Sequence, residues 1–565
     1  MLNLLEELKS KNIHISVKDD NLIIDTTEDI EESLIKRIKV YKQEIISYIL
    51  KHNSNSIVRH TFTNEDHPVS DAQKRLWLQS LTEEGSRSYH INYHIELPSE
   101  YDSKTVKLAI MQLVNNFEIF RTVFRMNDQG EVRQIILNEN NTGFDINIIN
   151  LTDNADAIEI IQDTVVRFNS LAFDLSKGPL LKCEIYQLKD KILVYFIFHH
   201  IIVDGVSLNL VKQNIIDYYK AISYSEHIHP PRLQYLDYTY WKIAAIDNGN
   251  YNNARNYWLE LLSKKISTLD LPSYAQRPSV KTFNSYTLKT DISSDLTQKL
   301  DFFAKQNQGT LNIAILSIIN ILLNKYTSEN DITLGTFTSG RNHPGLNDMP
   351  GLFVNTIVLN NTLDPQSDTF MDTFRKIRES FTKAFTHQDY PFDLLVENLQ
   401  LPNDTSRNPL FDITVVFQDY MNGEPDGKIA FSEEIKEIGF TKRAFDINFE
   451  FVYKESFLEM LTTFNVDVYD KETIVLFIKH FRYLIAELLD CPDIPLRDLD
   501  YVSDEEKLVL SSFNDTAAEY PASDTIVSLF ESQVDRSPSH TAVVFGDLSL
   551  SYWELNARSN QLAHY

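Results

Sequence analysis

Residues 191–198 (KILVYFIF) constrain the fold more than any other stretch of this sequence. The run is almost wholly apolar and does not alternate with polar residues, which is typical of a buried strand. Helical patterns lie on both sides of it along the chain, at residues 104–116 and 206–222. Strands that alternate with helices in this way predict a large α/β core.

The same strand pattern returns later, in residues 331–337 (DITLGTF) and 411–417 (FDITVVF). The chain has 565 residues, which is enough for several domains at about 150 residues each. We therefore expect a second lobe similar to the first, although no sequence repeat is visible.

The first part of the chain, residues 1–52, has a pattern of its own. A helical run precedes two short strands, at residues 13–17 and 22–24, and a second helix follows them. The first half of that helix is basic: its cationic residues are Lys36, Arg37, Lys39 and Lys42. Such a run is either a solvated helix face or a docking surface, and the sequence leaves both interpretations open. Residues 53–66 are polar and lack periodicity, and we interpret them as a linker.

Charge and cysteine content narrow the class of protein. Acidic residues outnumber basic residues by 80 to 53, and the formal net charge of −27 disfavours binding to nucleic acid. Two cysteines are too few for a disulfide framework or a cysteine-rich metal site, so we expect a cytoplasmic protein without a bound metal. The N-terminus lacks the basic start and apolar stretch of an export signal. The most apolar runs are shorter than the roughly 20 residues that cross a bilayer, so we expect no membrane partner.

Reactive side chains follow the buried strand directly. His199 and His200 precede Asp204 and Gly205 in the stretch FHHIIVDGVS, and strand ends are where a rigid sheet presents reactive groups. An imidazole that titrates near pH 6.5 can accept a proton at neutral pH, which makes His200 a candidate base. Asp204 could pair with a basic residue or orient the loop, and Gly205 could allow a turn or the close approach of a substrate. Adjacent side chains on a strand point to opposite faces, so the two histidines do not suit a shared metal site.

Further motifs support this pattern. The signature HHxxxDG is formed by His199, His200, Asp204 and Gly205. The accompanying motifs are SxAQxRLW at residues 70–77, a partial second motif at 118–124, YxDYxxW at 235–241, GxFVNT at 351–356, HQDxPF at 387–392 and SRxPL at 406–410. In this order they resemble the condensation domains of nonribosomal peptide synthetases. One departure is that Asn116 and Phe117 stand where the family usually has Arg and His.

The flanking segments resemble parts of the same assembly lines. Residues 1–52 resemble the small docking domains that begin some synthetase subunits, and residues 550–556 resemble the first core motif of an adenylation domain. The predicted organisation is a docking domain at 1–52, a linker at 53–66, a condensation domain at 67–500 with lobes at 67–240 and 241–500, a linker at 501–520, and the truncated start of an adenylation domain at 521–565.

The resemblance implies an α/β fold of two chloramphenicol-acetyltransferase-like lobes in a V, preceded by a small α/β docking domain. It implies a tunnel between the lobes, where donor and acceptor carrier proteins insert phosphopantetheine arms; the chain itself is expected to bind no cofactor. The amine of a downstream aminoacyl thioester would attack an upstream acyl or peptidyl thioester, which gives an amide. A further expected partner is an upstream synthetase subunit, held by the docking domain.

The resemblance gives His200 the central role in this reaction. We expect it to orient the amine first and to act as a base second. Holding two tethered reactants in line supplies roughly 7–11 kcal/mol, against roughly 3–5 kcal/mol for a general base. His199 and Asp204 are expected to be structural. Arg341 is the expected partner of Asp204, with Arg121 as the alternative.

Related domains share the HHxxxDG signature and provide the alternatives. An epimerisation domain typically has a GWFTS-like stretch where this chain has GLFVNT, and a heterocyclisation domain replaces the histidines with aspartates, which excludes it. The flanking segments, which resemble docking and adenylation domains, argue against a free-standing acyltransferase that uses coenzyme A. The remaining alternatives are an epimerisation-type member and a non-catalytic scaffold that recruits carriers. The sequence does not identify the donor, the acceptor amino acid or the product.

Overall fold

The computed structural model describes most of the chain: residues 14–18, 21–25, 34, 37–39, 41–42, 45, 56–60, 65–263, 268–273, 276–402, 404–418, 434–454, 456–520 and 522–565. Two compact units are present, Met1–Tyr501 and Val502–Tyr565. The first unit contains two lobes, each with its own central sheet and its own hydrophobic core. The predicted α/β architecture with two lobes is therefore confirmed.

An antiparallel hairpin lies near the N-terminus. Its strands are β1 (His14–Lys18) and β2 (Asn21–Asp25). Further along, Leu34, Ile38 and Ile45 are buried, as one face of a helix requires. These positions agree with the predicted hairpin and helix, and the rest of the predicted docking domain lies outside the described residues.

The first lobe is built on a four-stranded sheet. The elements of this lobe are β3 (His67–Pro68), α1 (Asp71–Gln79), α2 (Glu83–Ser88), β4 (His90–Pro98), α3 (Ser103–Asn116), β5 (Thr122–Met126), β6 (Val132–Ile136), β7 (Ile146–Asn150), α4 (Ala157–Ser170), β8 (Leu181–Gln187), β9 (Lys191–His199), α5 (Gly205–Ser223) and α6 (Tyr235–Asp247). The central sheet has the strand order β4-β9-β8-β7 and is antiparallel except for the pair β7 and β8. β9 lies inside this sheet and is buried along most of its length, as its apolar run predicts.

The second lobe is built on a seven-stranded sheet. The elements of this lobe are α7 (Asn252–Leu261), β10 (Asn284–Ile292), α8 (Ser294–Gln306), α9 (Leu311–Thr327), β11 (Asp331–Thr338), β12 (Asn355–Thr362), α10 (Phe370–Thr386), α11 (Phe392–Leu399), β13 (Ile413–Gln418), β14 (Lys436–Lys442), β15 (Ile447–Lys454), β16 (Phe457–Asn465) and α12 (Lys471–Asp490). The strand order is β12-β11-β13-β15-β16-β10-β14. Both strands predicted for this lobe are present, as β11 and β13.

The loop between β11 and β12 runs from the second lobe into the first. We call residues 339–354 the crossing loop. Four of its side chains, those of Leu346, Met349, Leu352 and Phe353, are buried in the hydrophobic core of the first lobe. The crossing loop therefore belongs to the second lobe by sequence and to the first lobe by packing.

Two predicted boundaries of the first lobe differ from the structure. Residues 56–60, predicted to lie in a linker, pack on the first lobe: Ile57 is buried in its core, and Arg59 donates hydrogen bonds to Asp237 at 3.2 Å and to Glu118 at 2.9 Å. A polar segment forms a linker only when its charged side chains have no protein partners. Here Arg59 has two partners, so the segment packs on the lobe. The predicted lobe boundary at residue 240 falls inside α6.

The second unit contains α13 (Asp504–Phe513), α14 (Ile526–Arg536), β17 (Thr541–Phe545), β18 (Leu548–Ser551) and α15 (Tyr552–His564). The antiparallel pair β17 and β18 and the helices α14 and α15 match the predicted pattern. Helix α13 lies inside the segment predicted as a linker, where Ser503 and Glu506 form a capping box that starts it.

The apolar helices of the chain are short or interrupted. No helix in the described part of the chain is both long and apolar enough to cross a bilayer alone. The consecutive helices α8 and α9 reach the required length and hydropathy only together, and they are bent by 103° relative to each other. Most of α9 is buried in the core of the second lobe, which accounts for its apolar character.

Candidate active site

The candidate site lies where strand β9 ends. His199 is the last residue of the strand, His200–Ile202 form one 3-10 turn, and Asp204 is the N-cap of α5. The Asp204 carboxylate accepts a hydrogen bond from the main-chain N of Ser207 at 2.8 Å, which is the usual bond of an N-cap. A strand, a turn and a capped helix therefore fix the positions of both histidines.

Asp204 is fully buried and is surrounded by hydrogen-bond donors. Its carboxylate accepts from Ser207 Oγ at 2.7 Å, from Phe353 N at 3.1 Å, and from Arg341 Nη2 at 3.1 Å to Oδ1 and 3.3 Å to Oδ2. The predicted pair of Asp204 and Arg341 is confirmed. The alternative partner, Arg121, instead donates to main-chain carbonyls, among them Val114 O at 3.2 Å.

Arg341 lies in the crossing loop, so its ion pair with Asp204 joins the two lobes. The Arg341 side chain is 4% exposed. Its Nη1 donates to the carbonyls of Leu346 and Met349, the latter at 2.8 Å, and its guanidinium carbon lies 4.1 Å from the centre of the Phe353 ring. A charge buried this deeply is stable only with such partners.

Two glycines allow the crossing loop to approach the first lobe. Gly340 has a φ of +65°, and a Cβ at this position would lie 1.8 Å from the carbonyl oxygen of Phe353. A Cβ on Gly351, with a φ of +158°, would lie 2.1 Å from the ring of Tyr235. The Tyr235 hydroxyl donates to the carbonyl of Leu352 at 2.6 Å and closes this contact. Larger residues at either glycine would displace the loop that carries Arg341.

His199 is fully buried, and both of its ring nitrogens have partners. Nδ1 accepts a hydrogen bond from Ile201 N at 3.2 Å, and Nε2 lies 3.2 Å from Ser80 Oγ. Burial lowers the pKa of His199 well below its usual range, and the neighbouring imidazoles of His90 and His200 add to this effect. The ring is therefore neutral at neutral pH, and its bonds support the predicted structural role.

His200 is held by its main chain, and its side chain is less constrained. Its main-chain N donates to the carbonyl of Tyr89 at 2.8 Å, and its Nδ1 is buried with no hydrogen-bond partner among the described residues. Burial lowers the pKa of His200; its own carbonyl, Asp204 and the carbonyl of Val203 oppose this shift, and Arg443 reinforces it. The imidazole is therefore neutral at neutral pH and can accept a proton.

The remaining predicted site residues are Gly205 and the basic residues of the predicted docking surface. Gly205 is the first residue of α5 and has a helical backbone, so the turn does not require its conformational freedom. Among the predicted docking residues, Arg37 and Lys39 are exposed and Lys42 is partly buried, whereas Lys36 lies outside the described residues. No group of histidine, cysteine and acidic side chains in the described part of the chain is arranged to hold a metal ion.

Ser207 was not predicted as a site residue, yet it bonds Asp204, Arg341 and the main chain of the crossing loop. Its hydroxyl contacts Asp204, accepts from Arg341 Nη2 at 2.9 Å and from Gly351 N at 3.0 Å, and lies 2.9 Å from the carbonyl of Gly351. The local signal is an N-cap aspartate three residues earlier. The contact with the crossing loop spans 144 sequence positions and has no local signal.

Comparison with known proteins identifies the family. The sequence model of the condensation domain matches residues 63–511, so the chain belongs to the condensation-domain family, whose members are acyltransferase-type domains of nonribosomal peptide synthetases. The chain is 31% identical to bacitracin synthase 3 of Bacillus licheniformis over 519 residues, which are 91% of this chain and 8% of the relative. It is 31% identical to gramicidin S synthase 2 of Aneurinibacillus migulanus over 499 residues, 88% of this chain and 11% of the relative. The chain thus spans only a small part of these relatives.

Solved structures with the same fold include synthetase domains. A four-domain nonribosomal peptide synthetase bound to AMP and glycine aligns with a TM-score of 0.72 at 19% identity, over 91% of this chain and 40% of that chain. The X-domain from teicoplanin biosynthesis in complex with OxyB aligns at 0.68 and 20% identity, over 80% and 98%. The first condensation domain of the calcium-dependent antibiotic synthetase aligns at 0.63 and 18% identity, over 78% and 100%. These similarities establish the fold of the two lobes.

Proposed function

We propose that this chain forms an amide bond between two carrier-bound substrates during nonribosomal peptide synthesis. The donor is an acyl or peptidyl thioester on an upstream phosphopantetheine arm, and the acceptor is an aminoacyl thioester on a downstream arm. The observation that carries the proposal is the environment of His200: a neutral and partly exposed imidazole that is fixed by its main chain, next to the fully buried ring of His199.

The reaction needs little from the protein besides orientation and one proton acceptor. The acceptor amine attacks the carbonyl carbon of the donor thioester, the C–N bond forms and the C–S bond breaks. The proton lost by nitrogen passes to His200 and then to the departing thiolate, so the products are an amide on the downstream arm and a free thiol on the upstream arm. Alignment of two tethered reactants supplies roughly 7–11 kcal/mol, and general base catalysis supplies a factor of roughly 10²–10⁴.

The hydrogen bonds next to His200 suit a site in which His200 meets the substrate and its neighbours hold the structure. Asp204 and Arg341 neutralise each other, and Ser207 and the main chain of Phe353 fill the remaining positions of the carboxylate. Because the Asp204 carboxylate and the Arg341 Nη1 and Nη2 atoms already have protein partners, we assign these residues to positioning. His200 is the one residue of the HHxxxDG signature with a ring that remains available to a substrate.

A transfer experiment with loaded carriers tests this proposal. An upstream carrier bearing an acyl thioester and a downstream carrier bearing an aminoacyl thioester are mixed with the protein, and intact masses are followed over time. We expect the acyl mass to move to the downstream carrier as an amide that resists hydroxylamine. Binding of both carriers without transfer would instead support the scaffold, and inversion of the donor without transfer would support an epimerisation-type domain.

We also propose that residues 1–52 bind the acidic C-terminal segment of an upstream synthetase subunit. The support is the β1–β2 hairpin, whose edge could accept a further strand, and the exposed Arg37 and Lys39 in an acidic protein. Binding would raise the local concentration of the donor carrier without changing the reaction.

Deletion of residues 1–52 tests the docking role. We expect slower transfer from the native upstream subunit and nearly unchanged transfer from excess free carrier. Calorimetry of the full chain with the upstream tail provides a second test, with charge reversals at Lys36, Arg37 and Lys39. Affinity that does not respond to these reversals or to salt would mean that the basic run is only a solvated helix face.

A further inference from the structure

The two faces of the seven-stranded sheet in the second lobe have different surroundings. Along β15, Phe449 and Phe451 lie on one face and pack on α12. The ring of Phe449 stacks on that of Phe477 with the centres 5.1 Å apart, and the ring of Phe451 lies 5.6 Å from that of Phe481. Successive side chains of a strand alternate between faces. Glu450 therefore lies on the opposite face, away from α12.

We call this opposite face the polar face. Its polar side chains include those of Lys289 on β10, Thr414 and Gln418 on β13, Glu450 on β15, and Glu459 and Thr463 on β16. Thr414 and Thr463 are buried, so the polar face is covered by protein as well. The first lobe reaches this sheet at β14, which contacts α2. The polar face is therefore a protein-enclosed surface at the border between the lobes.

Arg443 relates the polar face to the candidate active site. It is exposed and directly follows β14. Burial lowers the pKa of His200 and raises the pKa of Glu450; the charge of Arg443 adds to the first shift and opposes the second. Charges separated by more than about 8 Å are largely screened at physiological salt. His200 of the first lobe and Glu450 of the second lobe are thus close to the same guanidinium and face the same space.

Glu450 has no cationic side chain in contact with it among the described residues. Gln418 Nε2 donates to Glu450 Oε1 at 2.6 Å, and Oε2 accepts no hydrogen bond from the described part of the chain. The Glu450 side chain is also partly exposed. Glu459 differs in both respects, because it is buried and forms an ion pair with Lys289. The Glu450 carboxylate is therefore held at one oxygen and is open to a ligand at the other.

The surroundings of Glu450 favour a cation as that ligand. Burial makes the charge of this carboxylate costly, and its raised pKa reflects that cost. A cation that brings its own hydrogen-bond donors offsets the cost, and an alkylammonium group brings three donors. The amide of Gln418 fixes Oε1, so Oε2 is presented in a defined direction.

The chemistry of amide formation indicates which ammonium group suits Glu450. The α-amine of the acceptor attacks only as the free amine, and a carboxylate in contact with it would favour its protonated form. Binding of the α-amine by Glu450 would therefore oppose the reaction. A side-chain ammonium takes no part in the attack and can stay protonated throughout.

From these observations we infer that Glu450 binds the side-chain ammonium group of a basic aminoacyl substrate whose thioester lies at His200. The inference rests on the proposed amide formation and adds the class of substrate to it, an amino acid with a lysine-like side chain. Both thioesters meet at His200, so the same chemistry serves a basic residue on the acceptor or on the donor. The experiment has one arm for each.

Binding of stable substrate analogues to the full chain tests the inference. The probes are phosphopantetheine amides of lysine and of norleucine, which have the same carbon skeleton and differ in the side-chain ammonium. The acceptor arm uses probes with a free α-amine, and the donor arm uses probes with an acetylated α-amine. Calorimetry gives the affinities for the wild type, Glu450→Gln and Glu450→Met. The matched control, Asp295→Asn, removes one exposed carboxylate from α8 of the same lobe.

We expect the wild type to bind the lysine probe about tenfold or more tightly than the norleucine probe in one of the arms, as close charge pairs at interfaces supply. In Glu450→Gln and Glu450→Met this preference should nearly vanish while the affinity for norleucine is kept, which also shows that the variants are folded. Asp295→Asn should keep the preference. High salt should weaken it in the wild type.

The inference is overturned by equal affinities for lysine and norleucine probes in both arms of the wild type, or by failure of both lysine probes to bind. It is equally overturned by a preference that survives in Glu450→Gln and Glu450→Met, or by one that Asp295→Asn also loses. Transfer between carriers loaded with uncharged residues is measured separately. Loss of that transfer would contradict amide formation, whereas normal transfer without a preference for lysine would contradict only the role of Glu450.

Discussion

His199 and His200 are neighbours in the sequence, yet the structure gives their rings different surroundings. His199 uses Nδ1 and Nε2 to contact Ile201 and Ser80 and is fully enclosed. His200 is fixed through its main-chain N, and its Nδ1 has no partner among the described residues. Burial lowers the pKa of both rings, so both are neutral at neutral pH.

The comparison shows that two identical side chains of one motif have different roles, one in stability and one in the reaction. A ring whose nitrogens both have protein partners cannot accept a proton without breaking a bond, and such a ring contributes to stability. A ring that is positioned by its backbone and is partly exposed, as the ring of His200 is, can accept a proton from a substrate. Mutations test this division, beginning with Asp204, the N-cap of the helix that follows the two histidines.

The largest expected effect is the loss of the anchor next to the histidines. Asp204→Ala leaves Arg341 buried without its counter-charge, which should lower the free energy of unfolding by roughly 3–5 kcal/mol. Denaturant unfolding measures this loss. The matched control is Asp470→Ala, which removes the N-cap of α12, breaks no ion pair among the described residues and should cost about 1 kcal/mol. A soluble Asp204→Ala protein with unchanged stability and no activity would make Asp204 a direct participant in the chemistry.

Replacement of His199 should affect stability and spare the chemistry. His199→Ala removes the bonds to Ile201 and Ser80 and should cost roughly 1–3 kcal/mol, with transfer of the acyl group largely retained in the folded fraction. His199→Asn places an acceptor near the position of Nδ1, and Ser80→Ala removes only the partner of Nε2. Both should cost less than His199→Ala. A stable His199→Ala protein that has lost transfer would contradict the division of tasks.

Acid should lower the stability of the protein in part through the enclosed ring of His199. The pKa of His199 is lowered in the folded state, so the unfolded chain takes up a proton first, and stability should decrease as the pH falls below about 6.5. Thermal unfolding between pH 7 and pH 5 should show a steeper decrease for the wild type than for His199→Asn. Parallel curves for the two proteins would mean that His199 is not held as a neutral ring.

The smallest expected effect concerns Gly205. Because it occupies the first helical position of α5, Gly205→Ala should leave stability unchanged or raise it by about 0.5–1 kcal/mol. A lower transfer rate in this stable variant would show that the glycine is needed for the close approach of a substrate. Unchanged transfer would mean that Gly205 is not needed for the approach of a substrate and only forms part of the helix backbone.

Sequence patterns predict the elements of this fold better than the contacts between them. The apolar run of β9, the strands β11 and β13 and the start of α5 follow from local patterns, and so does the placement of the site at a strand end. The pair of Asp204 and Arg341 was predicted only through the family motif, because the two residues are 137 positions apart.

The features that were not predicted from the sequence depend on contacts between residues far apart in the chain. Nothing local indicates that Phe353 packs in the core of the other lobe, or that Ser80 meets His199 across 119 positions. Residues 53–66 are polar enough overall for a linker, yet Ile57 is buried in the core of the first lobe and Arg59 donates hydrogen bonds to Asp237 and Glu118. These features depend on tertiary partners, which a pattern of spacing does not contain.

The rate constant for a single turnover of amide formation tests the role of His200 most directly. It is measured by rapid quench with saturating loaded carriers, for the wild type, His200→Gln and His199→Gln. We predict that His200→Gln folds normally and loses a factor of roughly 10²–10⁴ in rate, whereas His199→Gln loses stability and keeps most of its rate. We also predict that the wild-type rate stays constant down to a pH below about 6.5, because the pKa of His200 is lowered. A folded His200→Gln protein with the wild-type rate constant would contradict the account.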